Sequence, residues 1–237
     1  MKIFSYSVLI ISTLAFNVWA FNELSINQSL SIEQGNTKKI FVDVGAGALD
    51  IRGADVDEIS VKARIYSKKY RHLEDLEDAF QDKMEFSLIK ENTTIVLKAI
   101  NKKSMFSFST PNISVDLDIT IPESMNLEIE DGSGDMKIFN IGGQLKIDDG
   151  SGSTYIKQVG GGLYVEDGSG HLNISNIIGD VHIGDGSGMI DIVDISGNLT
   201  INDGSGSIDI RDLDGDFKLD EDGSGEIFLN GKRWHIN

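Results

Sequence analysis

Six aspartates each begin a copy of the tetrapeptide Asp-Gly-Ser-Gly: Asp131, Asp149, Asp167, Asp185, Asp203 and Asp222. Calcium prefers oxygen ligands, and a stack of carboxylates with turn carbonyls could supply several of them. The calcium-binding β-roll, however, repeats every nine residues and places its aspartate after the glycines. An aspartate before glycine also commonly accepts hydrogen bonds from the backbone N–H groups of its own turn. We expect this turn-forming role, with a calcium-stabilised scaffold as the alternative.

The direction of these side chains decides between the two roles. Two carboxylates about 5 Å apart repel each other by roughly 0.8 kcal/mol in water, and salt weakens this further. A solvated column of aspartates therefore needs no cation. If the aspartates point into the protein, the repulsion rises several-fold and a bound cation is favoured.

Serines and histidines are the next candidates for chemistry. Each motif carries a serine: Ser133, Ser151, Ser169, Ser187, Ser205 and Ser224. A catalytic serine needs one histidine positioned by one acid, and none of the six lies in a Gly-x-Ser-x-Gly sequence. The histidines (His72, His171, His182 and His235) form no His-Glu-x-x-His motif. We interpret the serines as turn residues and the histidines as surface residues.

A carbohydrate-active enzyme is a second alternative. Some enzymes built from stacked β-strand repeats (β-solenoids) cleave polysaccharides with carboxylates on one face. Paired carboxylates are uninformative in so acidic a chain. Stacking aromatics on outward positions are few, and Tyr155 and Tyr164 are the two that hint at a sugar site. We expect no catalysis, no catalytic or metal site and no cofactor.

The spacing of the motifs reveals the elements that carry them. Successive aspartates are eighteen residues apart four times and nineteen residues apart once. Counting each aspartate as position one, apolar residues recur at positions six, eight, eleven, fifteen and seventeen, with Thr154 as an exception at position six. Position eight is isoleucine in the first five units, in Ile138, Ile156, Ile174, Ile192 and Ile210. Spacings of two predict strands with alternate residues facing inward.

Each unit therefore predicts two short strands and two turns. One turn is Asp-Gly-Ser-Gly, and the other passes through a polar position ten to a glycine at position thirteen, where we expect glycine to supply a positive φ. Identical positions in successive units favour a parallel β-solenoid with like residues stacked about 4.8 Å apart. An antiparallel meander of hairpins is the alternative, but its core would be thin.

The chain before the repeats predicts a degenerate coil and a cap. Gly45 to Ile51 follows the repeat register, with Ile59 and Val61 then matching positions fifteen and seventeen. Residues 71–86 place Leu73, Leu76, Phe80 and Met84 at helical spacing and predict an amphipathic helix that caps the open solenoid end. The alternating run from Ile113 to Ile121 predicts a strand leading into the repeats. Lys232, Arg233 and Trp234 break the register, as a terminal cap should.

The N-terminal residues and the overall composition indicate where the protein is located and which partners are unsuitable. Lys2, an apolar run from Phe4 to Phe16 and a small residue at Ala20 predict a signal peptide over 1–20, cleaved after Ala20. No later segment predicts a membrane span. The chain has no cysteine and a net charge of −17, so it carries no disulfide or thiolate site, and nucleic acid is an unsuitable partner.

The sequence resembles a bacterial family of adhesin-like β-strand-repeat proteins, a domain of unknown function. The resemblance rests on Val115 to Pro122, the following Leu127-Glu-Ile129, and repeating Ser-Gly-x-hydrophobic-x-Ile units such as Ser205 to Ile210. It implies an exported, all-β, right-handed parallel β-solenoid and brings no catalytic residues. An aspartate before every Gly-Ser-Gly is a departure from the commoner pattern.

From these observations we expect three regions: a signal peptide (1–20), a β-rich N-terminal cap with the first degenerate coil and the helix (21–112), and the solenoid repeats with a C-terminal cap (113–237). The expected function is an exported structural or interaction module, periplasmic or extracellular. Its partner would be a protein or glycan of the cell envelope.

Overall fold

A computed structural model describes residues 24–102 and 112–234, apart from the side chain of Asp222. The predicted signal peptide and His235 lie outside the described residues. Strands dominate, and they form two sheets that enclose one apolar core.

The described strands are numbered in chain order and divide between the two sheets. In spatial order, the first sheet contains β1 (Ser25–Glu33), β4 (Glu58–Tyr66), β7 (Ser114–Pro122), β3 (Leu49–Ala54), β9 (Met136–Ile141), β11 (Gly152–Val159), β13 (Gly170–Ile178), β15 (Gly188–Ser196), β17 (Gly206–Asp214), β19 (Ile227–Leu229) and β20 (Lys232–Arg233). The second sheet contains β18 (Phe217–Asp222), β16 (Leu199–Asp203), β14 (Val181–Asp185), β12 (Leu163–Asp167), β10 (Leu145–Asp149), β8 (Asn126–Ser133), β2 (Lys39–Ala46), β6 (Thr94–Asn101) and β5 (Met84–Glu91).

Successive repeat strands pair in parallel and in register, which confirms the solenoid. In the first sheet Ile156 aligns with Ile138 on one side and Ile174 on the other, and all three are fully buried. In the second sheet Leu163 aligns with Leu145 and Val181. Each eighteen-residue unit is thus one coil whose aliphatic residues rest on their counterparts in the next coil. The single nineteen-residue interval appears as a bulge between Ile201 and Asn202, where β16 pairs with β18.

The N-terminal coil confirms one prediction and corrects another. Leu49 and Ile51 align with Met136 and Ile138, as the register predicted. The placement of Ile59 and Val61 at positions fifteen and seventeen is wrong, because both lie in β4, which runs antiparallel between β1 and β7 in the first sheet. The corresponding places in the second sheet belong to Ile40 and Val42 of β2, which align with Leu127 and Ile129 of β8.

The chain order differs from the spatial order at this end. The coil formed by β6 and β7 comes later in the sequence than β2 and β3, yet it stacks outside them in both sheets. Antiparallel pairs are confined, within the described residues, to the two ends of the solenoid.

The single described helix, α1 (Leu73–Lys83), is shorter than the predicted 71–86, because Met84 to Phe86 begin β5. Leu76, Ala79 and Phe80 are buried on one face. The helix contacts β1 and β5, which are the edge strands of the two sheets. It therefore covers the open end of the core, as expected for a cap.

The other end closes with a short hairpin. Strand β20 pairs antiparallel with β19, and the ring of Trp234 packs edge-on against Phe217 at 5.2 Å between ring centroids. This matches the expected terminal cap. In the part of the chain that the structure describes, no helix has the length and apolar character needed to cross a bilayer.

Candidate functional site

The Asp-Gly-Ser-Gly turn stacks on itself along one edge of the solenoid. The N–H of Gly168 donates to the carbonyl of Asp149 in the preceding coil (2.9 Å), and the N–H of Gly170 donates to the carbonyl of Ser187 in the next coil (3.0 Å). A Cβ on Gly168 would lie 2.5 Å from the carbonyl oxygen of Gly150. Both glycines of the motif are therefore required by the close approach of the neighbouring coils.

The five motif aspartates whose side chains the structure describes point into the coil rather than into solvent. Asp131, Asp149, Asp167, Asp185 and Asp203, here called the aspartate ladder, are 1–7% exposed. Each continues the inward alternation of its strand: in β10, Leu145, Ile147 and Asp149 are buried, whereas Lys146 and Asp148 are exposed. The sequence contained this signal, because Asp149 lies two residues after Ile147 and so shares its face.

One carboxylate oxygen of each ladder aspartate fixes its own turn. The backbone N–H of the motif serine donates to Oδ1 at 3.1–3.2 Å in all five coils. The turn-forming role predicted from sequence is therefore confirmed.

The second carboxylate oxygen lies in an unusual environment. Oδ2 of Asp131, Asp167 and Asp185 is buried without a hydrogen-bond partner. In Asp149 the same atom accepts a hydrogen bond from Oγ1 of Thr154 at 3.4 Å. Thr154 occupies position six, where the other coils carry apolar side chains: Met136, Leu172, Ile190 and Ile208.

Burial and the charges of neighbouring ladder members raise the pKa values of three ladder aspartates, Asp131, Asp167 and Asp185. Burial, followed by the charge of Asp149, raises the pKa of Asp131 to about 7 and that of Asp167 to about 6. Burial, followed by the charges of Asp167 and Asp203, raises the pKa of Asp185 to about 6. Two full charges one strand spacing apart would repel by about 3 kcal/mol at an effective dielectric constant of about 20. The inward ladder thus resists full ionisation.

A calcium site does not fit this geometry. Calcium takes six to eight oxygen ligands. The described carboxylates and histidines form no group of three or more that could hold a metal ion. The position-six side chains beside the ladder are apolar except in the coil of Thr154.

The motif serines and the three described histidines do not form a catalytic arrangement. Among the described residues, no hydrogen bond joins a motif serine to a histidine. His171 instead contacts Oδ2 of Asp191 at 3.0 Å on the outward face of the first sheet. His72 and His182 are exposed.

The two tyrosines singled out in the sequence lie on different faces. Tyr155 belongs to β11 in the first sheet and Tyr164 to β12 in the second, so they cannot build one sugar site. Tyr164 is 41% exposed and its hydroxyl donates to Glu166.

Tyr155 instead joins residues that sequence reasoning missed. Its ring lies 5.6 Å from the ring of Phe139, and the guanidinium of Arg52 lies 5.3 Å from the Phe139 ring centroid. Lys137 aligns with Tyr155, and Lys157 aligns with Phe139. These five residues on the outward face of the first sheet are called the aromatic-basic cluster. The sequence signal for this cluster was position nine of the repeat, where Arg52, Phe139 and Lys157 align on neighbouring strands.

The second turn has a different geometry from the one expected. The positive φ falls at position ten, in Asn140, Gln158, Asn176, Asp194 and Asp212, with values from 55° to 63°. Of the glycines at position thirteen, Gly179 alone has a positive φ. The other glycines at position thirteen are needed because neighbouring coils approach closely there. A Cβ on Gly161, for example, would lie 2.5 Å from the carbonyl carbon of Gly143. A groove of about 710 Å³ runs along this edge.

Comparisons with known proteins place this fold in a family. Similar crystal structures include a candidate cell adhesion protein from Clostridium sporogenes (12% identity, TM-score 0.41, 86% of this chain and 98% of that chain covered). A candidate lipid binding protein from Parabacteroides distasonis (12%, 0.35, 87% and 95%) and a candidate adhesin from Parabacteroides merdae (8%, 0.32, 85% and 95%) are also similar. No curated protein matches the sequence. The family model described as Toastrack DUF4097 matches residues 37–232, most of the chain, and the protein therefore belongs to the Toastrack DUF4097 family.

Proposed function

We propose that this protein is an exported, adhesin-like interaction module that binds a neutral glycan through the aromatic-basic cluster and catalyses no reaction. The observation that carries the proposal is the contact of Phe139 with both Arg52 and Tyr155 on an outward sheet face. Three adjacent strands, β3, β9 and β11, hold these side chains on a rigid parallel sheet.

The chemistry of the cluster suits a sugar chain. Half-exposed aromatic rings offer apolar faces, on which the C–H face of a sugar ring can pack. Lysine and arginine supply several hydrogen-bond donors that match hydroxyl groups. Asn173 aligns with Tyr155 on the next strand and adds an amide that both donates and accepts.

Charge favours a neutral glycan over an acidic one. The chain carries a net charge of −17, so a polyanion approaching it meets long-range repulsion. The positive charges of the cluster are local, and salt screens them beyond about 10 Å.

The absence of catalysis is part of the proposal. Glycoside hydrolysis uses a carboxylic acid with a raised pKa beside a second carboxylate. The pKa is raised in four described carboxyl groups of the aspartate ladder, Asp131, Asp149, Asp167 and Asp185, which face the interior, whereas the aromatic-basic cluster faces outward.

Binding to neutral oligosaccharides tests the function. Isothermal titration calorimetry with cellohexaose, mannohexaose and chitohexaose should detect binding of at least one, and Tyr155→Ala should weaken it about five- to ten-fold. Tyr164→Ala, a matched change on the outward face of the second sheet, should leave affinity unchanged. Incubation with the bound sugar should release no new reducing ends.

Three results would contradict the proposal. One is the failure of every neutral oligosaccharide to bind. Another is tighter binding of polygalacturonate than of the neutral sugars. The third is capture from envelope extracts of a protein partner whose binding depends on Phe139 and Tyr155, since the module would then recognise protein.

Export is a separate element of the proposal, supported by Lys2, the apolar run that follows it and Ala20. Expression of the full chain in a bacterial host, followed by fractionation and N-terminal sequencing, should give a mature protein beginning at Phe21. Retention of the whole chain in the cytoplasm would refute export without touching the binding proposal.

A further inference from the structure

The aspartate ladder offers a binding site that the glycan proposal does not use. Five carboxyl groups are nine-tenths or more buried and aligned along successive coils. Their Oδ1 atoms are occupied by the motif serine N–H groups. Oδ2 of Asp131, Asp167 and Asp185 remains buried with no hydrogen-bond partner. A buried polar atom without a partner is costly, so its natural ligand needs to be identified.

Basic side chains do not supply that ligand. The charged groups that act on Asp131, Asp149, Asp167 and Asp185 are all acidic, namely neighbouring ladder aspartates and the adjacent Asp148. The residues that precede the ladder aspartates, among them Glu130, Asp148 and Glu166, are exposed on the opposite side of their strands. From the neighbouring N-terminal coil, the residue aligned with Asp131 is Val44.

A metal ion is an equally poor ligand. The described carboxylates and histidines form no group of three or more that could hold a cation, and the position-six side chains beside the ladder are apolar except for Thr154. Calcium would remain far short of its usual coordination number. A proton needs no coordination shell and converts a buried anion into a neutral group that can also donate a hydrogen bond.

We propose that the aspartate ladder is a proton-binding site: Oδ2 atoms of the folded solenoid carry protons at pH values where surface aspartates are ionised. Neutral carboxyl groups relieve both the burial of charge and the repulsion along the column. Because neighbouring groups interact, the protons leave over a wide pH range and the steps belong to the ladder rather than to single residues.

The raised pKa values of three ladder aspartates agree with a proton-binding site. Those of Asp131, Asp167 and Asp185 rise to between about 6 and about 7. Between pH 4 and pH 7 the folded chain then holds more protons than the unfolded chain, in which aspartates titrate near 3.9. Stability therefore falls as the pH rises through this window, the reverse of the usual behaviour of a salt-bridged aspartate.

The double variant Asp167→Asn/Asp185→Asn tests the site, because asparagine keeps the oxygen that accepts the serine N–H and places a neutral group at Oδ2. The matched control is Asp135→Asn/Asp180→Asn. These two aspartates also accept backbone N–H groups, from Ser153 at 3.1 Å and Asn198 at 2.9 Å, but they are exposed.

Chemical unfolding should be measured from pH 4.5 to pH 8.5. The folding constant of the wild type and of the control variant should fall as the pH rises. The ladder variant should lose most of this dependence and fold with at least about a tenfold larger constant at pH 8. An unchanged pH dependence in the ladder variant would overturn the proposal.

Two further measurements keep the proposal falsifiable if the double variant fails to fold. In the wild type, ¹³C NMR of the aspartate carboxyl carbons should show several groups titrating above pH 5.5. If all titrate below pH 4.5, the proton site is refuted. A higher unfolding midpoint of the wild type in 5 mM calcium at pH 8 than in metal-free buffer would identify the ligand of the ladder as a cation. That result would overturn the proton site. Neither outcome bears on glycan binding.

Discussion

Thr154 donates a hydrogen bond from Oγ1 to Oδ2 of Asp149 at 3.4 Å, so that one member of the aspartate ladder has a partner for both carboxylate oxygens. Thr154 stands at a position where the other repeats place methionine, leucine or isoleucine, and it is itself 1% exposed. This bond lowers the pKa of Asp149, against the larger effect of burial, which raises it.

Replacing Thr154 by valine tests how much this hydrogen bond contributes to stability. Thr154→Val keeps the shape of the side chain and removes the hydrogen-bond donor. Oδ2 of Asp149 is then buried without a partner, and the free energy of unfolding should fall by about 1 kcal/mol at pH 7.5. The pKa of Asp149 should rise further, and the loss should therefore grow as the pH increases. Urea unfolding at pH 5 and pH 8 measures both effects. Ser153→Ala, on the exposed side of the same strand, is the control, and an equal effect of the two changes would contradict the assignment.

The motif glycines should be intolerant of any side chain. A Cβ on Gly152 would overlap the carbonyl oxygen of Gly134 in the neighbouring coil, and the residue has a φ of +148°. Gly152→Ala should lower the free energy of unfolding by at least about 3 kcal/mol or prevent folding. At Gly45 a Cβ would lie 3.9 Å from the nearest atom, so Gly45→Ala should cost less than about 1 kcal/mol. Similar thermal midpoints for the two variants would show that the coils can move apart.

Sequence periodicity was sufficient for the repeats because every coil obeys the same alternation. Isoleucine at position eight and the paired apolar residues at fifteen and seventeen define both strands, and the parallel register follows from stacking like on like. The nineteen-residue interval is absorbed by one bulge: Asp220 of β18 is the extra residue, opposite the step from Ile201 to Asn202 in β16.

The N-terminal region could not be resolved in the same way. An alternation of two fits a parallel or an antiparallel strand equally well, so Ile59 and Val61 matched the register although β4 runs in the opposite direction. The strand that fills their expected place, β2, precedes the glycine-rich turn, and nothing local indicates that a later coil, β6 and β7, stacks outside it.

The two candidate sites could be predicted only in part, for a different reason. The inward direction of Asp149 follows from Ile147 by simple alternation, but the motif looked like a turn and turns are usually solvated. The aromatic-basic cluster needed Arg52 to be aligned with Phe139 across more than eighty residues of chain. That alignment depends on β3 pairing with β9. The sequence predicted that Gly45 to Ile51 share the repeat register, but not that β3 lies next to β9.

The second turn predicts an unusual stabilising substitution. Gln158 has a φ of 63°, a conformation that costs most residues with a side chain roughly 1–2 kcal/mol. Gln158→Gly should remove most of this strain and raise the thermal midpoint, whereas Gln158→Val should lower it, because β-branched residues tolerate this region poorly. Differential scanning calorimetry at pH 6 compares the two. A lower midpoint for the glycine variant would mean that the Gln158 side chain makes a stabilising contact along the turn.

The C-terminal cap gives a final prediction about cooperativity. In a solenoid each coil contacts its neighbours, so damage at one end weakens the nearest coils most. Trp234→Ala removes the ring that packs on Phe217 and should release the β19–β20 hairpin at a cost of about 1–2 kcal/mol. Hydrogen exchange followed by mass spectrometry should then show faster exchange in β17, β18 and β19 and unchanged protection in β9 and β11. Uniformly faster exchange from β9 to β19 would show instead that the solenoid unfolds as one unit, and the C-terminal hairpin would then be a determinant of global stability rather than a local cap.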